Sequence, residues 1–358
     1  MQMLDNVPRS ILTRASVWIG LAIAWLGCAT LHAQLPEASS GDVIPRDVRE
    51  MYDRGLQYLA KTQEESGSWS KGSESGGGST GLALMAFLAS GEDPNFGLYS
   101  SAVKRGLRSI ILSQNPETGY IGNSMYHHGF ATLALAEAYG SVDDRNLWEG
   151  KQGDKRQRSI GEALELAVRC AVTSQKKNPY GGWRYGPDAR DADTSVSGAV
   201  LMGLLAARNA GIEVPDESID KAISYFSSMT SPGGTVGYTG GFDGFGESIA
   251  RSSIATLVFA ISKRKDLKQF KSALKYISDQ LEGTPSNWPE YARYYQAQAF
   301  FQGDVDAWKR WNTQTIRQLK SMQQEDGSFT GQLGPTTNTS MALLALALNY
   351  RFLPIYER

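Results

Sequence analysis

Cysteine and histidine are scarce in this chain, two and three of 358 residues. So few soft ligands exclude a cysteine-rich zinc site, and two cysteines, Cys28 and Cys170, exclude a disulfide framework. Neither sign of charge dominates: 36 basic against 37 acidic residues leave a net charge of −1. No broad basic face follows from such a balance, so nucleic acid is not an expected partner. Long hydrophobic runs are also missing. The longest, Val17 to about Ala29, is short of the roughly 20 residues a membrane span needs. What is present is ordinary for a folded protein, 41% hydrophobic and 20% charged residues, which excludes wholesale disorder.

That apolar run has the form of a targeting segment. Arg9 and Arg14 precede it, and Leu31-His32-Ala33-Gln34 offers a cleavage site, so 1–33 reads as a signal peptide and 34–44 as a short linker. Export to the periplasm or medium is the expectation, with no stable membrane span after cleavage. Retention as an uncleaved or lipid anchor is the alternative. Cleavage would leave Cys170 alone in the apolar stretch Leu164–Val172, where it reads as a small buried hydrophobe.

Self-similarity fills 45–358. Leu59, Gln63 and Gly67-Ser68-Trp69 are followed by Ile110, Gln114 and Gly119-Tyr120, and finally by Leu319, Gln323 and Gly327-Ser328-Phe329. In each, glutamine lies four after the aliphatic and six before the aromatic. A looser copy runs through Gln175 to Gly181-Gly182-Trp183, and weaker ones end at Gly237-Tyr238 and Trp288. A spacing of about 40 to 60 residues suits one helical hairpin per unit. In each unit an amphipathic helix ends near the glutamine and glycine breaks it. A small, apolar helix follows, as in Thr80–Met85, Ala131–Ala138, Val196–Ala207, Ile254–Ile261 and Ser340–Leu348. The expected fold is all-α: an α/α toroid of six hairpins, alanine-rich helices inside and amphipathic ones outside. An open solenoid is the rival. Long loops such as Glu64–Ser79 and Tyr180–Thr194 precede the inner helices and should gather at one rim.

The unit Arg54–Trp69 resembles the QW repeat of squalene and oxidosqualene cyclases, and the wider pattern is similar to the prenyltransferase and squalene-oxidase repeat family. Two further segments, Met125–Gly129 and Gly181–Tyr185 with Asp193–Val196, resemble uncharacterised exported bacterial members. The resemblance implies a squalene-cyclase-like isomerase acting on an isoprenoid, without cofactor. Squalene-hopene cyclases carry Asp-x-Asp-Asp-Thr-Ala, whose middle aspartate protonates an alkene; this chain has Asp191-Ala192-Asp193-Thr194-Ser195. Aligned on Asp-x-Asp, Asp193 is the acid and Thr194 replaces its neighbour; aligned on Asp-Thr-Ser, Ala192 stands in the acid's place. A third reading makes Asp193 the cap of the helix entered at Val196. Gly240–Gly244 resembles a glycine-rich segment of prenyltransferase β subunits, but Ala250–Ser253 stand where the zinc ligands would follow, so no metal is expected.

Other candidates come from residue type alone. His127 and His128 open a helix beside Tyr126. Neighbouring helical positions point about 100° apart, so the two cannot share one metal, but His127 suits a general acid or base. Trp183, Arg184, Tyr294 and Tyr295, with Tyr126 and His128, are candidate ligand-binding groups; Asp191, Asp193 and His127 are candidate catalytic ones. Glu247 and Arg251, one turn apart, suit an ion pair. Three functions compete: a cyclase-like handler of an apolar, isoprenoid-like ligand, a carbohydrate-active toroid, and a non-catalytic binding protein of the cell envelope.

Overall fold

The computed structural model describes residues 44–69, 77–149, 156–240, 246, 248–281 and 288–356. Residues 1–43, where a targeting segment is expected, Gly241–Gly244 and Glu247 lie outside the described residues. Twelve α-helices alternate along the described residues. The outer ones are α1 (Arg46–Thr62), α3 (Ser100–Ser113), α5 (Ile160–Lys176), α7 (Asp216–Met229), α9 (Lys268–Asp279) and α11 (Val305–Met322). The inner ones are α2 (Gly77–Leu88), α4 (Met125–Ala138), α6 (Thr194–Asn209), α8 (Ile249–Ile261), α10 (Pro289–Gly303) and α12 (Pro335–Ala347).

The two classes differ in what they bury. Helix α1 covers one stripe, Val48, Met51, Tyr52, Gly55, Leu56 and Leu59, at three- and four-residue spacing. Helix α2 is buried at every position from Gly78 to Leu88, and α4 from His128 to Ala138. Small residues allow that enclosure. A Cβ on Gly129 would sit 2.6 Å from the Ala199 carbonyl carbon, so only glycine lets α4 lie this close to α6. Cys170 is buried on α5, as a small hydrophobe would be.

The recurring glutamine is a latch. Its side-chain amide donates once to the carbonyl of its own glycine turn and once to the next outer helix. Gln63 reaches Gly67 O and Ala102 O at 3.0 and 2.9 Å, and Gln114 reaches Gly119 O and Ala163 O at 3.0 and 2.9 Å. Gln175 reaches Gly181 O and Ser218 O at 2.7 and 2.9 Å. Gln323 reaches Gly327 O and, on the first helix of the chain, Met51 O at 3.0 and 2.8 Å. A second bond ties the residue two past each glycine to the inner helix. Trp69 N–H donates to Thr80 Oγ1, Trp183 N–H to Ser197 Oγ and Phe329 N–H to Thr339 Oγ1. In the second unit it is Ile121 N–H that donates, to His128 Nδ1. The structure thus shifts two expected registers: Ile121 and Val236, not Tyr120 and Tyr238, follow Gly119 and Gly234 at the repeat's spacing.

The inner helices pack in the order α2, α4, α6, α8, α10, α12 and back to α2. At the seam, Lys320 pairs with Asp47 at 2.7 Å, and Arg54 donates to Gln324 O at 2.6 Å. An open solenoid would leave these groups in water, so the fold is the closed α/α toroid. Opposite helices α4 and α10 meet through aromatic rings across the axis. Phe130 and Tyr294 lie 6.1 Å apart between centroids, and Tyr126 and Tyr291 6.2 Å. Tyr295 packs edge-to-face with Tyr291 and Tyr294, centroids 5.0 and 4.8 Å away. The ring is therefore filled at its centre, as close packing of six hairpins requires.

Candidate functional site

Where the outer helices turn into the inner ones, the loops form one rim, here called the mouth. The α5–α6 loop is held by its own backbone. Asn178 Nδ2 donates to Asp191 O at 2.8 Å, Asp193 N–H to Trp183 O at 3.0 Å, and Met125 N–H at the start of α4 to Tyr185 O at 2.8 Å. From the next unit, Tyr238 O and Gly237 O accept from the Thr194 N–H and hydroxyl at 3.1 and 2.8 Å. These contacts bring Tyr185 and Tyr238 together, hydroxyl to hydroxyl at 2.7 Å. The Arg184 guanidinium lies 5.3 Å from both ring centroids, and Arg251 lies 6.0 Å from Tyr238. Arg251 is steadied by Val236 O at 2.8 Å. Tyr185 remains 50% exposed, so this basin has an aromatic face open to water.

Beneath it lies Asp193, with 0% of its side chain exposed. One oxygen caps α6, accepting from Val196 N–H at 2.8 Å. The other has no hydrogen-bond partner among the described residues; its nearest cation is Arg184 Nε at 3.6 Å, which is equally far from Asp191. Burial raises the Asp193 carboxyl to about 6, opposed by the Val196 N–H and by Arg184. Arg184 Nη1 and the Tyr225 hydroxyl are likewise buried without partners among the described residues. Burial raises the Tyr225 and Tyr291 hydroxyls, and the nearby Asp193 charge raises them further. The floor of the mouth is thus a cluster of polar atoms whose hydrogen-bonding capacity is unspent.

The other expected residues take separate places. His128 is used twice: Nδ1 accepts from Ile121 N–H and Nε2 donates to Ala167 O at 3.0 Å. Burial lowers it to about 4, so it is neutral and has no nitrogen left for a ligand. His128 fills the position that Thr80, Ser197 and Thr339 fill in other units. His127 stands at the α2–α4 junction, where Nδ1 accepts from Gly78 N–H at 3.3 Å, and burial lowers its pKa. Trp183 is buried, its indole donating to Ala171 O at 2.9 Å, and so faces the interior and not the basin. Tyr294 and Tyr295 belong to the central plug. They lie inside α10, which starts at Pro289, a residue suited to the first helical position. Tyr126 is at the top of the plug, edge-on to Phe130 at 5.1 Å. Asp193, Asp191 and Arg184 converge; His127 and Tyr294 do not join them.

Sequence reasoning missed Tyr225 and Tyr238. Tyr238 was hidden by being taken for the repeat's packing aromatic, a position that Val236 holds. Among the described residues, no three histidine, cysteine, aspartate or glutamate side chains stand together as a metal site. No described helix is long and apolar enough to cross a membrane.

No protein-family model matches the chain, and no curated protein matches it. Solved structures do. An α-1,6-mannanase from Salegentibacter sp. is 12% identical with a TM-score of 0.59, covering 84% of this chain and 98% of that one. A variant of a type II terpene cyclase from Scytonema, in complex with geranylgeranyl dihydroxybenzoate, is 13% identical with a TM-score of 0.60, over 86% and 98%. An α-amylase from Clostridium perfringens is 13% identical with a TM-score of 0.57, over 85% and 99%. At these identities the likeness establishes the α/α toroid and leaves the chemistry to the site.

Proposed function

We propose that this α/α toroid binds a saccharide-type ligand in the shallow basin of its mouth, without cyclising an isoprenoid inside the ring. The observation that carries this reading is the pair of aromatic contacts across the axis, Phe130 with Tyr294 and Tyr126 with Tyr291. A long apolar substrate needs a deep, dry cavity, and these rings occupy its place. What faces water instead is Tyr185 beside Tyr238, flanked by Arg184 and Arg251. A sugar ring stacks its C–H face on an aromatic side chain and engages hydrogen-bonding groups around it. One toroid neighbour, an inactive variant of the mannanase, is in complex with α-1,6-mannotriose, which supports the ligand class. Asp193 is covered, so it holds the basin's floor and stands away from the ligand. The N-terminal segment suggests an exported protein, which would meet such glycans.

Isothermal titration of the mature chain with an oligosaccharide panel including α-1,6-mannotriose, and with squalene in micelles, tests the reading. A saccharide should bind with micromolar to millimolar affinity, and Tyr238→Ala or Arg184→Ala should weaken it about tenfold, the loss of one or two good contacts. Binding of squalene alone, unchanged in both variants, would overturn it.

A further inference from the structure

On the face opposite the mouth, the inner helices end around a second cavity of about 660 Å³, of a size that holds small ligands. Its walls come from the ends of α6, α8 and α10 and from the segment after α12. That segment runs beneath the ring as a strap. Tyr350 stacks on Tyr52 of α1 at 4.9 Å, Arg351 lies 5.4 Å over Phe301 of α10, and Ile355 N–H reaches Glu137 of α4 at 3.5 Å. Ala260, Ile261, Pro354 and Ile355 form the apolar wall, and Lys263, Lys265 and Asp266 the charged one.

Lys263 has an unexpected backbone. In α6, Gly211 closes the helix with φ 90°, its N–H on Arg208 O and the next N–H on Ala207 O. In α8 the same two bonds recur, Lys263 N–H on Ala260 O and Arg264 N–H on Phe259 O, with Lys263 at φ 60°. The helices α2 and α4 are also followed by left-handed glycines, Gly91 and Gly140. A lysine thus takes a conformation that glycine adopts without strain, as Arg351 does after α12 with φ 61°.

The surrounding charges make Lys263 distinct. Lys265 Nζ donates to Gln302 O at 2.6 Å, and Asp266 pairs with Arg264 at 3.4 Å. Glu137 is buried under the strap. Lys263 shows no hydrogen bond or ion pair among the described residues and is exposed at the cavity's edge. A basic residue at a helix C-terminus also complements the dipole, but that role is served equally by Lys265. We propose that this cavity is a second binding site, for an amphiphile with one anionic end at Lys263 and an apolar body against Ile261 and Ile355.

Titration of the full chain with dodecyl phosphate, below its micellar concentration, tests the site. One equivalent should bind, while dodecanol and inorganic phosphate each bind at least tenfold more weakly. Lys263→Gly should weaken dodecyl phosphate at least tenfold and raise Tm, because it relieves the backbone while removing the charge. Lys263→Met, which keeps the strain, should lose the affinity without the gain in Tm. Arg184→Ala should leave dodecyl phosphate binding unchanged, which separates this site from the mouth. Unchanged affinity in both Lys263 variants, equal binding of inorganic phosphate, or a fall in Tm for Lys263→Gly would overturn the proposal.

Discussion

Asp193 and His128 are buried ionisable groups with opposite consequences for pH. The native Asp193 carboxyl, at about 6 against an ordinary 3.8, holds its proton more tightly than the unfolded chain does. Its contribution to stability is therefore full below about 3.8 and lost as pH rises through about 6. His128, lowered to about 4 from 6.5, contributes above 6.5 and is lost as pH falls through about 4. Between pH 4 and 6 the two slopes oppose. Asp193→Asn keeps an N-cap acceptor but removes one slope, so stability of the variant should rise more steeply across this window. Relative to wild type the gain from pH 4 to pH 7 should approach about 3 kcal/mol, the worth of a two-unit shift. Urea denaturation at both pH values measures it, and parallel curves would refute it. At this scale the sequence offered Asp193 both as acid and as cap. Local spacing cannot separate them, because a cap occupies one oxygen and leaves the other to whatever the fold brings near.

At the scale of the element, the latch explains why the glutamine and glycine repeat was legible. Both residues perform a backbone task within a few residues of themselves, so their spacing is written in the chain. The latch at the seam carries the closure. Gln323→Ala removes both amide donations, to Met51 O and Gly327 O, and should cost about 2 kcal/mol. Gly327→Ala is worse. Its Cβ would lie 2.3 Å from Arg54 O at a φ of 90°, and the change should cost about 3 kcal/mol by chemical denaturation. A cost below that of Gln323→Ala would show that the seam yields easily. The Tyr120 register was misread at this scale because the turn from Gln114 to Gly119 is one residue longer than that from Gln63 to Gly67, and the Tyr238 register because Thr230 stands where other units carry glutamine; in both, aromatic identity outweighed distance from the glycine.

For the whole molecule the decisive feature is the plug. Replacing Tyr294 by alanine removes a fully buried ring between Phe130 and Tyr295. It should cost about 3–5 kcal/mol and open an apolar void on the axis. Xenon, which occupies dry voids of this kind, should appear there under pressure in the variant and be absent from the wild-type ring. Xenon in both would mean the axis is already open, and the argument for a shallow, mouth-bound ligand would fall with it.

The chain by itself determined the hairpins, their number and which helices turn outward, because periodicity, glycine stops and a returning motif are local properties; that the ring closes was decided by the contacts at the seam. Only the tertiary structure decided what lies in the middle and at the rim. Helices α4 and α10 are far apart in sequence and opposite in space, and the chain carries no sign that their aromatics meet. Tyr185 comes from the α5–α6 unit and Tyr225, Tyr238 and Arg251 from the α7–α8 unit, and they share a site only because the two units pack with their loops at one rim.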